Sequence, residues 1–135
     1  MTADDIITAA RGALDTPFAH QGRIAGLALD CAGLIVHVVR SLGIPYTDVA
    51  AYGRSPHQGL LQATLDSNDC IEHVTDRQAG DILLMRFASE PQHLAICAGE
   101  TMIHSYLAVG KVCEHRLSSM WAARIVAVYR FKEIA

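Results

Sequence analysis

Cys31 stands where a glycine-bearing loop gives way to an apolar-periodic helix, and two histidines, His93 and His104, follow far downstream on segments patterned as strands. A helix start carries unpaired N–H groups and the positive end of the macrodipole. Both favour a thiolate over a thiol, and the thiolate is the nucleophile. A cysteine on a helix with histidines on strands is a donor set for covalent acyl transfer. The sulfur attacks a carbonyl, one imidazole moves its proton, and a third side chain fixes the tautomer of the first. Such chemistry calls for no cofactor and no metal.

The spacing of the histidines sets a register. With Gly99-Glu100 as a two-residue type II′ turn, Ala98 pairs with Thr101, Cys97 with Met102, Ala95 with His104 and His93 with Tyr106. Cross-strand partners share a face, as do residues two apart on one strand. His93 and His104 then become diagonal neighbours, Cα atoms roughly 7–8 Å apart. A three-residue turn would send them to opposite faces. If the helix that begins at Cys31 covers this face, His93 meets the thiol and His104 accepts the other imidazole proton. The Cys31 N–H is then available to an oxyanion.

The elements that must hold these groups are legible from periodicity. Residues 3–14 read as a helix capped by Thr2, with Pro17 beyond it and a loop over 18–29. The second helix runs from Cys31 to Leu42 and stops at Gly43. Its stripe is Leu34, Ile35, Val38, Val39 and Leu42, with Cys31 near the middle of that face. Ser55-Pro56-His57-Gln58 is a capping-box start for a third helix through Leu60, Leu61 and Leu65. Strands are expected at Cys70–Val74, Asp81–Phe87, His93–Ala98, Thr101–Tyr106, Lys111–Leu117 and Arg124–Phe131. Helices first and antiparallel strands later make an α+β order over a single domain, residues 1–135.

Composition narrows the function classes. At 51% hydrophobic content the chain can bury one substantial core, and a formal charge of −3 gives no footprint for nucleic acid. No apolar run is long enough for membrane insertion. The start Met-Thr-Ala-Asp-Asp is acidic where an export signal would be basic, so synthesis in the cytoplasm is expected. None of Cys31, Cys70, Cys97 and Cys113 forms a C-x-x-C pair, so no zinc site of short paired spacing is expected. Cys70, Cys97 and Cys113 read as packing, Trp121 as a core or rim anchor, and Asp81 as a turn residue. His20, His57, His73 and His115 have no partner at ligand spacing and receive no role.

Asp30-Cys31-Ala32-Gly33, Gly80-Asp81-Ile82-Leu83, His93-Leu94-Ala95-Ile96 and Ile103-His104, in this order across about residues 5–131, resemble the NlpC/P60 cell-wall peptidases. The resemblance implies a papain-like α+β fold, with N-terminal helices packed on a C-terminal antiparallel sheet of about five to six strands. It implies hydrolysis of peptide bonds in peptidoglycan stem peptides, commonly between D-glutamate and diaminopimelate. By position Cys31 is the nucleophile, His93 the base and His104 the third residue. Asp30 falls where the family often holds the stem amine through a carboxylate, and it equally suits the N-cap of the helix. Ala32 replaces the usual serine, and Phe18 stands about where many members place a tyrosine near the thiol; both are expected to line the substrate cleft. Thr16–Arg23 resembles the branch found in phage tails and gene-transfer particles, which implies tail proteins as partners and carriage on a virion. Two other readings stay open: an amidase or acyltransferase on the same fold, and a non-catalytic tail-assembly module.

Overall fold

The computed structural model describes residues 1–49, 52, 59–87 and 90–134. Helix α1 spans Ala3–Arg11 and is opened by a reciprocal capping box between Thr2 and Asp5. It ends three residues earlier than the apolar pattern suggests. Gly12 caps it, and the chain then tightens through single turns to Asp15, whose φ is 69°. The expected loop over 18–29 contains a small hairpin, β1 (Arg23–Ile24) with β2 (Ala28–Leu29). Helix α2 spans Cys31–Leu42 and stops at Gly43 in the left-handed conformation, as its sequence requires. Helix α3 covers Leu60–Ser67. The expected Ser55–Gln58 cap, with His57, lies outside the described residues.

Six strands follow: β3 (Ile71–Val74), β4 (Ile82–Phe87), β5 (Glu90–Cys97), β6 (Thr101–Tyr106), β7 (Lys111–Arg116) and β8 (Ile125–Phe131). They form one antiparallel sheet in the order β3-β8-β4-β5-β6-β7, and a short helix, α4 (Ser119–Ala122), precedes β8. Strand alternation divides the apolar residues. Ile82, Leu84, Leu94, Ile96 and Ile103 join Leu34, Ile35, Val38 and Val39 of α2 in the main core. Leu83, Met85, Ala95, Cys97 and Met102 form a smaller core on the other face, with Trp121 packed against it.

Two glycines set how closely α2 approaches the preceding loop. A Cβ on Gly33 would lie 2.0 Å from the Gly22 carbonyl oxygen, and one on Gly22 would lie 2.6 Å from Ala28 backbone. The segment before α2 is also tied to the sheet. Ser105 donates its hydroxyl to the Leu29 carbonyl at 2.6 Å, and the Phe18 N–H reaches the Gly110 carbonyl at 2.9 Å. These bonds fix the first turn of α2 against β6 and the loop after it.

Candidate active site

The hairpin register is the expected one at its start. Ala98 N–H donates to Thr101 at 2.8 Å, Gly99 has φ of 91°, and Cys97↔Met102 and Ile96↔Ile103 are partners. His93 and His104 share a face of the sheet, but not the one α2 covers. His93 lies opposite Met85 on β4, and His104 is two residues from Met102, so both rings sit on the side of the smaller core. The side facing α2 is taken by Leu94, Ile96 and Ile103. The condition set for that contact, that α2 covers the face of the rings, is therefore not met.

Cys31 and His93 instead line one cavity at a gap between β5 and β6. The β5–β6 ladder pairs only at Cys97↔Met102 and Ile96↔Ile103. Beyond it a cavity of about 350 Å³ is lined by Gln92 and His93 of β5, Ser105 and Tyr106 of β6, and Cys31 at the start of α2. Residues of opposite strand parity line one space, as they must where two strands part. Cys31 Sγ lies 4.0 Å from the Gln92 carbonyl, and the N–H groups of Leu94 and Ala32 are directed at it. The sulfur is thus held against the backbone on both sides of His93.

The rings form a chain. His93 Nε2 is 2.6 Å from His104 Nδ1, and His104 Nε2 is 2.8 Å from His115 Nε2. His115 Nδ1 is 2.9 Å from the Arg116 carbonyl oxygen. That oxygen can only accept, so His115 Nδ1 carries the proton. For neutral rings the rest follows in order. His115 Nε2 accepts from His104 Nε2–H, and His104 Nδ1 accepts from His93 Nε2–H. His93 Nδ1 is left bare, as a base must be. His93 is 4% exposed and His104 not at all. Burial, with the neighbouring ring adding to it, pushes His93 well below its ordinary 6.5 and His104 down to about 3. Phe87 stacks on His93 at 4.7 Å, Tyr106 stacks on His104 at 5.1 Å, and Trp121 closes on His104 edge-on at 5.2 Å.

His115 was given no role from sequence. The signal was present in Gly110-Lys111. A four-residue loop pairs Tyr106 with Lys111, hence His104 with Cys113 and Met102 with His115, which places His115 diagonally beside His104. The thiolate expected at rest is also corrected. Burial pushes the Cys31 thiol up to about 12, the Asp30 carboxylate adds to this, and the Leu94 and Ala32 N–H groups oppose it without winning. The resting pair is a neutral thiol and a neutral imidazole, so the sulfur needs a proton acceptor.

The model of the NlpC/P60 family matches residues 15–130. The chain belongs to the NlpC/P60 family. Solved NlpC/P60 structures share its fold. An NlpC/P60 family protein from Bacillus cereus superposes with a TM-score of 0.72 at 22% identity, over 97% of this chain and 40% of that one. The NlpC/p60 domain of the peptidoglycan hydrolase SagA gives 0.65 at 19%, over 95% of this chain and 97% of that one. The peptidoglycan hydrolase RipB of Mycobacterium tuberculosis gives 0.67 at 16%, over 98% and 65%. The chain spans about two fifths of the Bacillus cereus protein. No curated protein matches significantly in sequence.

Against the NlpC/P60 pattern, the departures at positions 18 and 32 both face the cavity: Phe18 and Ala32 line it. A phenol is nevertheless present, from Tyr52. Its hydroxyl donates to Asp30 Oδ2 and receives Arg23 Nη2 at 2.7 Å. Asp30 caps α2 by accepting the Gly33 N–H at 2.8 Å. It also accepts the Gln21 N–H at 2.9 Å and pairs with Arg23 Nη1 at 2.8 Å. Four donors occupy both carboxylate oxygens, and the group is 4% exposed. The capping role is therefore the one observed. Asp30 also lines the cavity beside Cys31.

Proposed function

We propose that this NlpC/P60 domain is a cysteine peptidase that hydrolyses peptide bonds in bacterial peptidoglycan stem peptides, of the D-glutamyl–diaminopimelate type. The observation that carries this reading is the His93–His104–His115 chain. It ends on a backbone carbonyl and leaves His93 Nδ1 free, with Cys31 lining the same cavity as His93.

Each step then has a named group. A scissile carbonyl enters the cavity, and His93 Nδ1 takes the Cys31 thiol proton as Sγ attacks the carbonyl carbon. The imidazolium keeps its Nε2–H on His104, which orients it. The oxyanion receives the Cys31 N–H, which has no intrahelical partner at the start of α2. The C–N bond breaks as His93 returns the proton to the leaving amine. Water, giving its proton to His93, releases the acyl group from sulfur. Because the resting thiol is neutral, proton transfer and attack are coupled rather than successive.

Mass spectrometry of defined muropeptides incubated with the protein tests this. Cleavage within the stem is expected. Cys31→Ala should abolish it with little loss of stability, since one cavity-facing sulfur is removed. Turnover by that variant, or release at the amide joining sugar to peptide, would overturn the assignment. Carriage on a phage-tail or gene-transfer particle is proposed from the Thr16–Arg23 pattern alone, and proteomics of purified particles from the host checks it.

A further inference from the structure

We propose that the β6–β7 hairpin carries a binding site for a thiophilic divalent cation, zinc above all, built from His104 Nε2, Cys113 Sγ and His115 Nε2. One ligand atom from each of these three residues lies within 4.8 Å of the others. A tetrahedral zinc with bonds of about 2.0–2.3 Å sets its ligand atoms roughly 3.3–3.7 Å apart, so the two imidazole nitrogens, now 2.8 Å apart, give up their hydrogen bond and open by about 0.5 Å, while the separations to sulfur close by about 1 Å at most. The placement follows from the register. Cys113 is the partner of His104 and His115 is two residues on, so all three share one face of a continuous ladder.

Both histidines are already held as zinc-binding histidines are held. The nitrogen that would not touch the metal is engaged: His115 Nδ1 with the Arg116 carbonyl, His104 Nδ1 with the His93 ring. Cys113 is a free thiol, and it and His115 are half-buried on β7, the edge strand, which leaves a route for the ion and room for a fourth ligand from water. Two imidazoles and one thiolate form a soft donor set that suits zinc better than magnesium or calcium. The expectation of no metal looked for C-x-x-C pairs; here C-x-H on one strand meets a histidine on the next.

Occupation has a consequence that rests on the functional reading above. The ion displaces the Cys113 thiol proton to solvent and takes both Nε2 lone pairs. His104 must then carry its proton on Nδ1 and donate it to His93 Nε2, whose own proton moves to Nδ1. Three ring protons are present before and after, with the chain reversed. His93 Nδ1 no longer accepts from Cys31, so the metal stops hydrolysis without entering the cavity.

Metal-free protein titrated with cobalt chloride reads the site directly, through thiolate-to-cobalt absorption and quenching of Trp121. That residue is the only tryptophan and its ring is 5.0 Å from His115. One equivalent is expected in the wild type and in Cys31→Ala. Cys113→Ser should lose the thiolate band and bind zinc more than about tenfold more weakly, while keeping metal-free muropeptide cleavage and resisting zinc inhibition. No band in the wild type, or a band that persists in Cys113→Ser and vanishes in Cys31→Ala, overturns the site. Zinc binding that leaves cleavage intact overturns the inhibitory role. If metal-free protein cleaves nothing, the functional reading fails, and the cobalt spectrum still decides the metal site.

Discussion

His104 Nε2 and His115 Nε2 lie 2.8 Å apart, so one nitrogen must donate and the other accept. The Arg116 carbonyl, which can only accept from His115 Nδ1, decides which. A main-chain oxygen three hydrogen bonds from His93 thereby sets the tautomer of that ring. The family resemblance supplies a cysteine and two further residues; this chain extends the line by one ring.

On the proposed mechanism His115 is a positioning residue, and its replacement should show as a loss in kcat with KM little changed. His115→Phe should lower kcat by about 10–100-fold, the usual cost of losing an outer hydrogen-bond partner. His115→Gln, whose amide oxygen can accept from His104 Nε2–H, should recover most of it. Equal activity of the Phe and wild-type proteins on muropeptides would end this role.

Stability should fall in acid for a stated reason. His93 and His104 are held neutral by burial, with folded-state pKa values below the ordinary 6.5. The unfolded chain therefore takes up protons first as pH drops. Their full contribution is present above about 6.5 and is lost toward about 3, where His104 itself titrates. Urea midpoints from about pH 7.5 to about 4.5 should fall in the wild type and fall less steeply in His104→Asn. Parallel curves would contradict it.

Asp30→Asn should speed alkylation of Cys31. The carboxylate is the largest charge raising the thiol pKa, and Asn keeps an oxygen to cap α2 at Gly33. Removing the charge lowers the thiol pKa and increases the thiolate fraction at a given pH. Iodoacetamide rates at Cys31, read by peptide mapping, check the sign. An unchanged or slower rate would contradict it.

Gly33→Ala should destabilise the fold by about 1–3 kcal/mol, the usual cost of overpacking. The new methyl would meet the Gly22 carbonyl at 2.0 Å, so α2 must back away from its loop. Thermal melts measure the loss. Muropeptide cleavage should fall as well, because the same displacement moves Cys31.

Much of this was legible in the chain itself, because the signals are local. Gly43 ends α2 and Gly99-Glu100 turns the β5–β6 hairpin because each is a short-range conformational preference. Strand alternation likewise placed His93 and His104 on one face. The capping half of Asp30 was visible as a carboxylate one residue before an apolar helix.

Tertiary structure decided what depends on distant neighbours. Which face α2 covers is set by the packing of Leu94, Ile96 and Ile103, and periodicity alone is symmetric between the two faces. The parting of β5 and β6, which lets Cys31 on one side and His93 on the other line one cavity, has no residue-level signature. The charge state of Cys31 also reversed: the helix start was readable, whereas burial and the Asp30 charge act only once the chain has closed around the sulfur. Sequence determined which groups the protein owns and the local geometry of each; folding determined which of them face one another, because desolvation and hydrogen bonding between remote residues exist only at contact.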